Sequence, residues 1–174
     1  VKWSDYAGSD PVEDIEQGKE TILQNTGFLP NTLVLGYKTF RKLKHHPDVL
    51  DRFKYTSPDS ITEALLARLF ELERVIVMRA IKNPAAAGAT ATMALVAGAD
   101  DALLCYASPT PGLLAPSAGY LFSWRAISAG LGVDVPISRF RMDHLKADRI
   151  EGEAAFDCKV VATDLGYFYD DCVD

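Results

Sequence analysis

Between Pro30 and Lys82 the hydrophobic period of the chain switches from strand to helix and back, which restricts this stretch to folds that interleave the two. Thr32 to Gly36, TLVLG, is short, apolar and rich in β-formers. It follows the turn-forming Gly27 and Pro30 and is expected to be a central strand. From there Tyr37, Phe40 and Leu43 recur at helical spacing, and Lys and Arg crowd the later turns, where a helix dipole favours cations. Pro47 stops that helix and biases His46 away from helical angles, and PDVLDRFKY begins another. A third helix is expected from Ile61 to Leu72, opened by Thr62 and Glu63, with an apolar stripe of Leu65, Leu66, Leu69, Phe70 and Leu72. RVIVMRAI, Arg74 to Ile81, is β-branched and reads as a second buried strand, too apolar for a surface ribbon. Strand, helices and strand in this order predict a right-handed crossover within one sheet.

Upstream, Asp10, Pro11 and Glu13 are placed as a cap, a first helical residue and a capping-box partner, so a helix is expected to run to about Asn25. Val12, Ile15, Ile22, Leu23 and the stem of Lys19 mark its packed side, and Gly27 is placed for a left-handed cap. Fifteen or so residues give a helix of roughly 22 Å. Its other face is charged and glutamine-rich, hence either solvated or open to a partner. Downstream, Asn83 to Asp101 is rich in small residues and reads as a loop with a short buried strand at MALVAG; ALLCYA, Ala102 to Ala107, reads as a further buried strand. The proline-rich SPTPGLLAPSAG marks a boundary. Beyond Gly119, YLFSWRAI, VPISRFRM, RIEGEAAFDCKVVAT and GYFYDDCV alternate as strands of a two-sided antiparallel sheet, for which the first helix is the expected cover. In GYFYDDCV the alternation of Tyr167, Phe168 and Tyr169 should put one side in the core. The fold class expected is α+β.

The chain has 174 residues, 48% of them hydrophobic, enough for a packed core. A net charge of -6 and a pI near 5.0 disfavour sequence-specific nucleic-acid binding, and no Lys/Arg cluster reaches the density of a nucleic-acid footprint. Cys105, Cys158 and Cys172 are scattered and odd in number, which fits reduced thiols and not a disulfide frame or a zinc site. No apolar run reaches the roughly 18 residues of a membrane span, and VKWSDYAGSD lacks the features of a signal peptide. Neither membrane nor export is expected.

The search for chemistry yields no catalytic, cofactor-binding or metal-binding residue. His45, His46 and Asp48 are close in sequence, yet adjacent helical histidines point about 100° apart, and Asp48 sits where a cap after Pro47 is expected. His144 lies alone in a charged run and is expected at a solvated strand end or turn. Gly130-Leu131-Gly132 and Gly88 lack the continuation of a dinucleotide or phosphate loop and read as turns. Ser108, Ser117 and Ser123 stand outside any nucleophile elbow. Asp170, Asp171 and Asp174 lack calcium-loop spacing, so the acidic end is expected to fray.

The run PNTLVLGYKTFRKLKHHPDVLDRFKY from Pro30, followed by ERVIVMRAIKNPAAAG from Glu73, resembles the major capsid proteins of tailed bacteriophages, whose shell fold also builds encapsulin compartments. SDPVEDIEQGKETI and IEGEAAFDCKVVATDLGYFYDDCV are similar to that family's long peripheral helix and closing strands. The resemblance implies a central axial-type domain over residues 31–117 and a peripheral-type domain assembled from residues 1–30 and 118–174, a long helix packed on antiparallel strands. It further implies a structural subunit, not an enzyme, that joins copies of itself into pentamers and hexamers around double-stranded DNA. Synthesis in the bacterial host cytoplasm, residence in the virion, and no small-molecule substrate go with that. An encapsulin-type shell is the first alternative. A small α/β enzyme or ligand-binding domain using a cleft near Gly36, Tyr37 and Asn83 is the second.

Nothing in the chain corresponds to the family's N-terminal arm and extended loop, which implies a fragment or a degenerate prophage product that is mainly monomeric at micromolar concentration. Two expectations concern the folded chain. Phe156 should be buried beneath the first helix, so that Phe156→Ala would cost about 3 to 5 kcal/mol. Ala85 to Gly98 should hold the most mobile backbone of the central lobe.

Overall fold

The computed structural model describes residues 2–54, 61–112, 114–124 and 137–174. The turn expected at Gly130-Leu131-Gly132, the end of YLFSWRAI and the start of VPISRFRM lie outside the described residues. Two compact units are formed, Val1–Ala118 with Ala162–Asp174, and Gly119–Val161.

In chain order the elements are α1 (Pro11–Thr26), β1 (Thr32–Gly36), α2 (Tyr37–Lys44), α3 (Pro47–Phe53), α4 (Glu63–Leu69) and β2 (Arg74–Met78). Then come β3 (Ile81–Lys82), β4 (Ala94–Leu95), β5 (Ala102–Cys105), β6 (Gly119–Ser123), β7 (Ile137–Met142), β8 (Ala147–Gly152), β9 (Phe156–Val160) and β10 (Gly166–Tyr169). The local signals are used as read. Asp10 accepts from the Val12 and Glu13 amides at 3.0 and 3.1 Å, and Gly27, at φ +76°, closes α1 by donating to the Leu23 carbonyl.

The larger unit is built on a four-stranded sheet in the order β10-β5-β1-β2, with β1 and β2 parallel and the other neighbours antiparallel. Register aligns Val75, Leu33, Leu104 and Tyr167 in one row and Val77, Leu35, Ala102 and Tyr169 in the next. These rows face Ile15 and Ile22 of α1, Phe40 and Leu43 of α2, Val49 of α3, and Leu66 and Phe70 around α4, in one hydrophobic cluster. Each fully buried aliphatic or aromatic side chain contributes about 1.5 to 3 kcal/mol over its exposed state. The opposite face carries Ile76, Val34, Leu103 and Phe168 in register, with Ile76 and Phe168 exposed. Tyr167 and Tyr169 thus face the helices and Phe168 faces away, as the alternation predicts.

Two glycines set the close approaches. A Cβ on Gly36 would lie 2.3 Å from the Ala99 carbonyl oxygen, because residues 98–101 cross the end of β1 there. That crossing substitutes for a side-chain cap on α2: the Ala99 carbonyl accepts from the Lys38 and Thr39 amides, and Gly36 itself donates to the Asp101 carbonyl. A Cβ on Gly18 would lie 2.1 Å from the Tyr169 hydroxyl, which donates to the Asp14 carbonyl at 2.9 Å. Bare backbone on α1 lets that ring lie against the helix.

Several expectations change. α1 and β10 lie in the same compact unit as the central sheet, and the apolar stripe of α1 finds its partners on β5 and β10. β2 is an edge strand, not a doubly buried one. MALVAG contributes only β4, which pairs with β3 in a short ribbon that leaves Met93 and Val96 exposed. The strands beyond Gly119 do not make one sheet. RIEGEAAFDCKVVAT breaks after Gly152 into β8, paired with β7, and β9, paired with β6. Leu23 is exposed, and Phe156 is 68% exposed, not buried.

Gly36→Ala is expected to destabilise the chain by about 1 to 3 kcal/mol, since a carbonyl must shift to admit the methyl. Gly112→Ala, whose Cβ would meet nothing closer than 4.0 Å, should stay within about 0.5 kcal/mol. Urea midpoints of the two variants check this.

Candidate assembly surfaces

Among the described residues, one cluster has catalytic-looking connectivity, and it is spent on structure. Ser9 Oγ lies 3.1 Å from His46 Nε2, and His46 Nδ1 lies 3.4 Å from Asp48 Oδ2. The proton polarity runs the wrong way for a nucleophile. The Asp48 amide donates to Nδ1 at 3.3 Å, which leaves the ring proton on Nε2, pointing at Ser9; the Ser9 hydroxyl in turn donates to the Asp5 carbonyl at 2.7 Å. No ring lone pair is left to accept from Ser9. His46, fully buried with Tyr6 edge-on at 5.4 Å, is itself the cap of α3, a role expected of Asp48. His45 is exposed and turned away from this cluster. His144 sits exposed in a short 3-10 turn, as expected. Among the described residues no group of three His, Cys, Asp or Glu is placed to hold a metal, and no helix is long and apolar enough to cross a membrane.

The cleft considered for a ligand is small. Near Gly36 a cavity of about 190 Å³ is lined by Val34, Met78, Leu103 and Phe168, with Asp101 its only titratable neighbour. Tyr37 does not line it. Asn83 is committed elsewhere, accepting from the Ala85 and Thr92 amides to close the β3–β4 hairpin, whose tip turns at Gly88 with φ +86°.

The acidic chain end is tied down, not frayed. The Trp3 amide donates to the Cys172 carbonyl, the Cys172 amide to the Asp100 carbonyl, and Lys2 pairs with Asp171 and Asp174 at 2.8 and 2.7 Å. Trp3 is buried against Tyr169 at 5.5 Å between centroids, and its indole donates to Asp14 at 2.7 Å. Burial pushes the Cys172 thiol from 9.0 up to about 12, with nearby Asp101 adding to it; burial, then Tyr167 and Asp14, pushes the Tyr169 phenol up as well.

Exposed surface offers the remaining candidates. The exposed side of α1 presents Glu13, Glu16, Gln17 and Glu20 at helical spacing along a groove of about 530 Å³, completed by Leu23, Leu29, Pro30 and Glu71. Lys19, at its edge, is committed to Glu16 and to the Phe70 carbonyl that ends α4, both at 2.9 Å. Within the smaller unit, Leu121, Phe156 and Val160 lie on one side of the β6–β9 ribbon, all strongly exposed, with exposed Cys158 among them. Ile137 and Ile150 lie on one side of the β7–β8 ribbon, again exposed. Two-stranded ribbons are marginal alone, and apolar surface of this extent marks a contact surface. Sequence alternation located these strands but not their pairing, which depends on register between distant segments.

No family model matches the chain. Over 75 residues, 43% of this chain and 24% of the relative, it is 44% identical to the major capsid protein of Burkholderia phage BcepMu. Its fold is similar to a crystal structure of a phage-related protein from Bordetella bronchiseptica RB50, with a TM-score of 0.80 and 30% identity over 98% of this chain and 54% of that one. It is also similar to a protein assigned as a prophage capsid protein of E. coli CFT073, with a TM-score of 0.59 and 17% identity over 96% of this chain and 49% of that one. The chain therefore spans about half the length of these solved structures. The resemblance read from the motifs is borne out, and the mixed helix and sheet fold is that of these phage-related structures.

Two outcomes follow for the chain in solution. Cys172 and Tyr169 have raised folded pKa values, so their contribution to stability is full below their unfolded values and is lost as pH rises through the folded ones. Melting temperature should fall from about pH 9 upward, less steeply in Cys172→Ala, as thermal melts between pH 8 and 12 would show. Phe156→Ala should change the unfolding free energy of the isolated chain, from urea titration, by no more than about 0.5 kcal/mol.

Proposed function

We propose that this chain is the shell-forming part of a phage or prophage capsid subunit, which joins copies of itself into pentamers and hexamers enclosing double-stranded DNA. The observation that carries this reading is the 44% identity to a phage major capsid protein, and the fold likeness to phage-related and prophage proteins supports it. A phage or prophage shell is favoured over an encapsulin compartment because each of these similarities is to a phage-related protein. The distribution of exposed apolar residues fits such a role: a sheet face and two ribbons that one copy leaves wet are buried when several copies share contacts. In this reading the larger unit supplies axial-type contacts and the ribbons supply peripheral ones. A net charge of -6 fits a wall that encloses nucleic acid without adhering to it.

The reading assigns no catalytic step to the chain. The Ser9, His46 and Asp48 arrangement supports this assignment, since the ring proton points at the Ser9 hydroxyl and leaves no lone pair to deprotonate it.

Electron microscopy of the full-length protein, produced in a bacterial host, provides the test. Closed shells that protect double-stranded DNA from added nuclease are expected. Shells filled with protein would favour the compartment alternative. A full-length protein that stays monomeric at tens of micromolar and shows a ligand-dependent melt would overturn the reading in favour of an enzyme or binding domain.

A further inference from the structure

Charge in the larger unit is separated into two faces that do not neutralise each other. α2 and α3 with Lys54 carry six Lys and Arg against two Asp, whereas α1 carries four acidic residues against Lys19 alone, in a chain whose net charge is -6. Of the cations, Lys38 pairs with Asp100, and Lys42 and Lys44 lie over the rings of Tyr6 and Phe40. Arg41, Arg52 and Lys54 are exposed and, among the described residues, have no ion-pair partner. Leu50 is exposed on α3, one helical turn before Lys54. The groove along α1 has the opposite character: carboxylates of Glu13, Glu20 and Glu71 at its rim, with Leu23, Leu29 and Pro30 giving it an apolar side.

We propose that the α1 groove receives the α2–α3 corner of a second copy of this chain, with Leu50 against Leu23 and Leu29 and with Arg41 and Arg52 facing the rim carboxylates. This rests on the proposed self-assembly and names one surface that would carry it. An apolar anchor within a charged rim is the arrangement that gives both affinity and register. The two faces are different patches of one unit, so the contact is head-to-tail and closes into a ring when the rotation per copy permits. The groove is large enough for a helical turn with its side chains and lacks the buried, convergent polar groups of a small-molecule site.

Charge exchange in the full-length protein tests it. Glu20→Lys with Glu71→Lys, and separately Arg41→Glu with Arg52→Glu, should each raise the concentration needed for assembly by about tenfold or more at 0.15 M salt. All four substitutions together should bring it back to within about threefold of the original. Mixing the two double variants should restore association in rings with an even number of copies, where the two can alternate and each offers the other a matched contact. All the positions are exposed, and thermal melts confirm that the variants fold. Double variants that fold and assemble like the unsubstituted protein would overturn this contact while leaving the capsid reading intact, as would a quadruple variant that folds without recovering assembly. An unsubstituted protein that never assembles would overturn the capsid reading and this contact with it.

Discussion

The larger unit depends on the contact in which Tyr169 lies on bare backbone at Gly18 and donates to the Asp14 carbonyl. β10 is the outer strand of the sheet and reaches it only by pairing with β5, so without a clamp it is the strand most exposed to fraying. The tyrosine holds it against α1, and Trp3 closes over the same ring while bonding to Asp14 through its indole. One end of the chain is thereby held by the other. The buried Cys172 and Val173 and the Lys2 pairs follow from that closure; they could not be dry or paired if β10 were loose.

A second junction is built on Asn31, just before β1. Its side chain donates to the Ala107 carbonyl and accepts from the Ala107 amide, at 2.8 and 2.9 Å, while its own carbonyl accepts from the Glu73 and Arg74 amides at the start of β2. One residue thus joins the beginnings of β1 and β2 to the end of β5. Leaving such buried groups unpaired costs about 1 to 3 kcal/mol each, which is why an amide serves here where an apolar residue would not.

Local physics was legible where it is local. The cap at Asp10, the glycine turn at Gly27, the stop at Pro47 and the strands at TLVLG and ALLCYA depend on neighbours a few residues away, and those neighbours are in view in the sequence. Pairing was not legible. Nothing near GYFY says that it joins β5 and not β9, because that choice rests on Gly18, over 140 residues earlier, admitting the Tyr169 ring. Phe156 failed for a related reason: alternation tells that a side chain lies on one face of a strand, not that the face is covered. For the candidate site the acidic side of α1 was visible as a periodic pattern, whereas the apolar side of its groove needed Leu29 and Glu71 brought to it by the fold.

The two units differ in how far burial is complete within one copy. Helices cover one face of the four-stranded sheet, giving the larger unit a core in which Leu33, Leu35, Leu43, Leu66 and Phe70 are fully dry. Among the described residues of the smaller unit no helix layer covers the ribbons, which carry Leu121, Ile150, Phe156 and Val160 in water. Free energy from apolar burial scales with the area removed from water, so the larger unit holds its stability already, and the smaller one gains most of its own when something covers it. A protein meant to act alone gains nothing from such surface and risks aggregation. In the proposed shell a subunit that meets several neighbours does gain, since contacts between copies would seal the apolar faces of the ribbons while the clamped core keeps each copy the same shape.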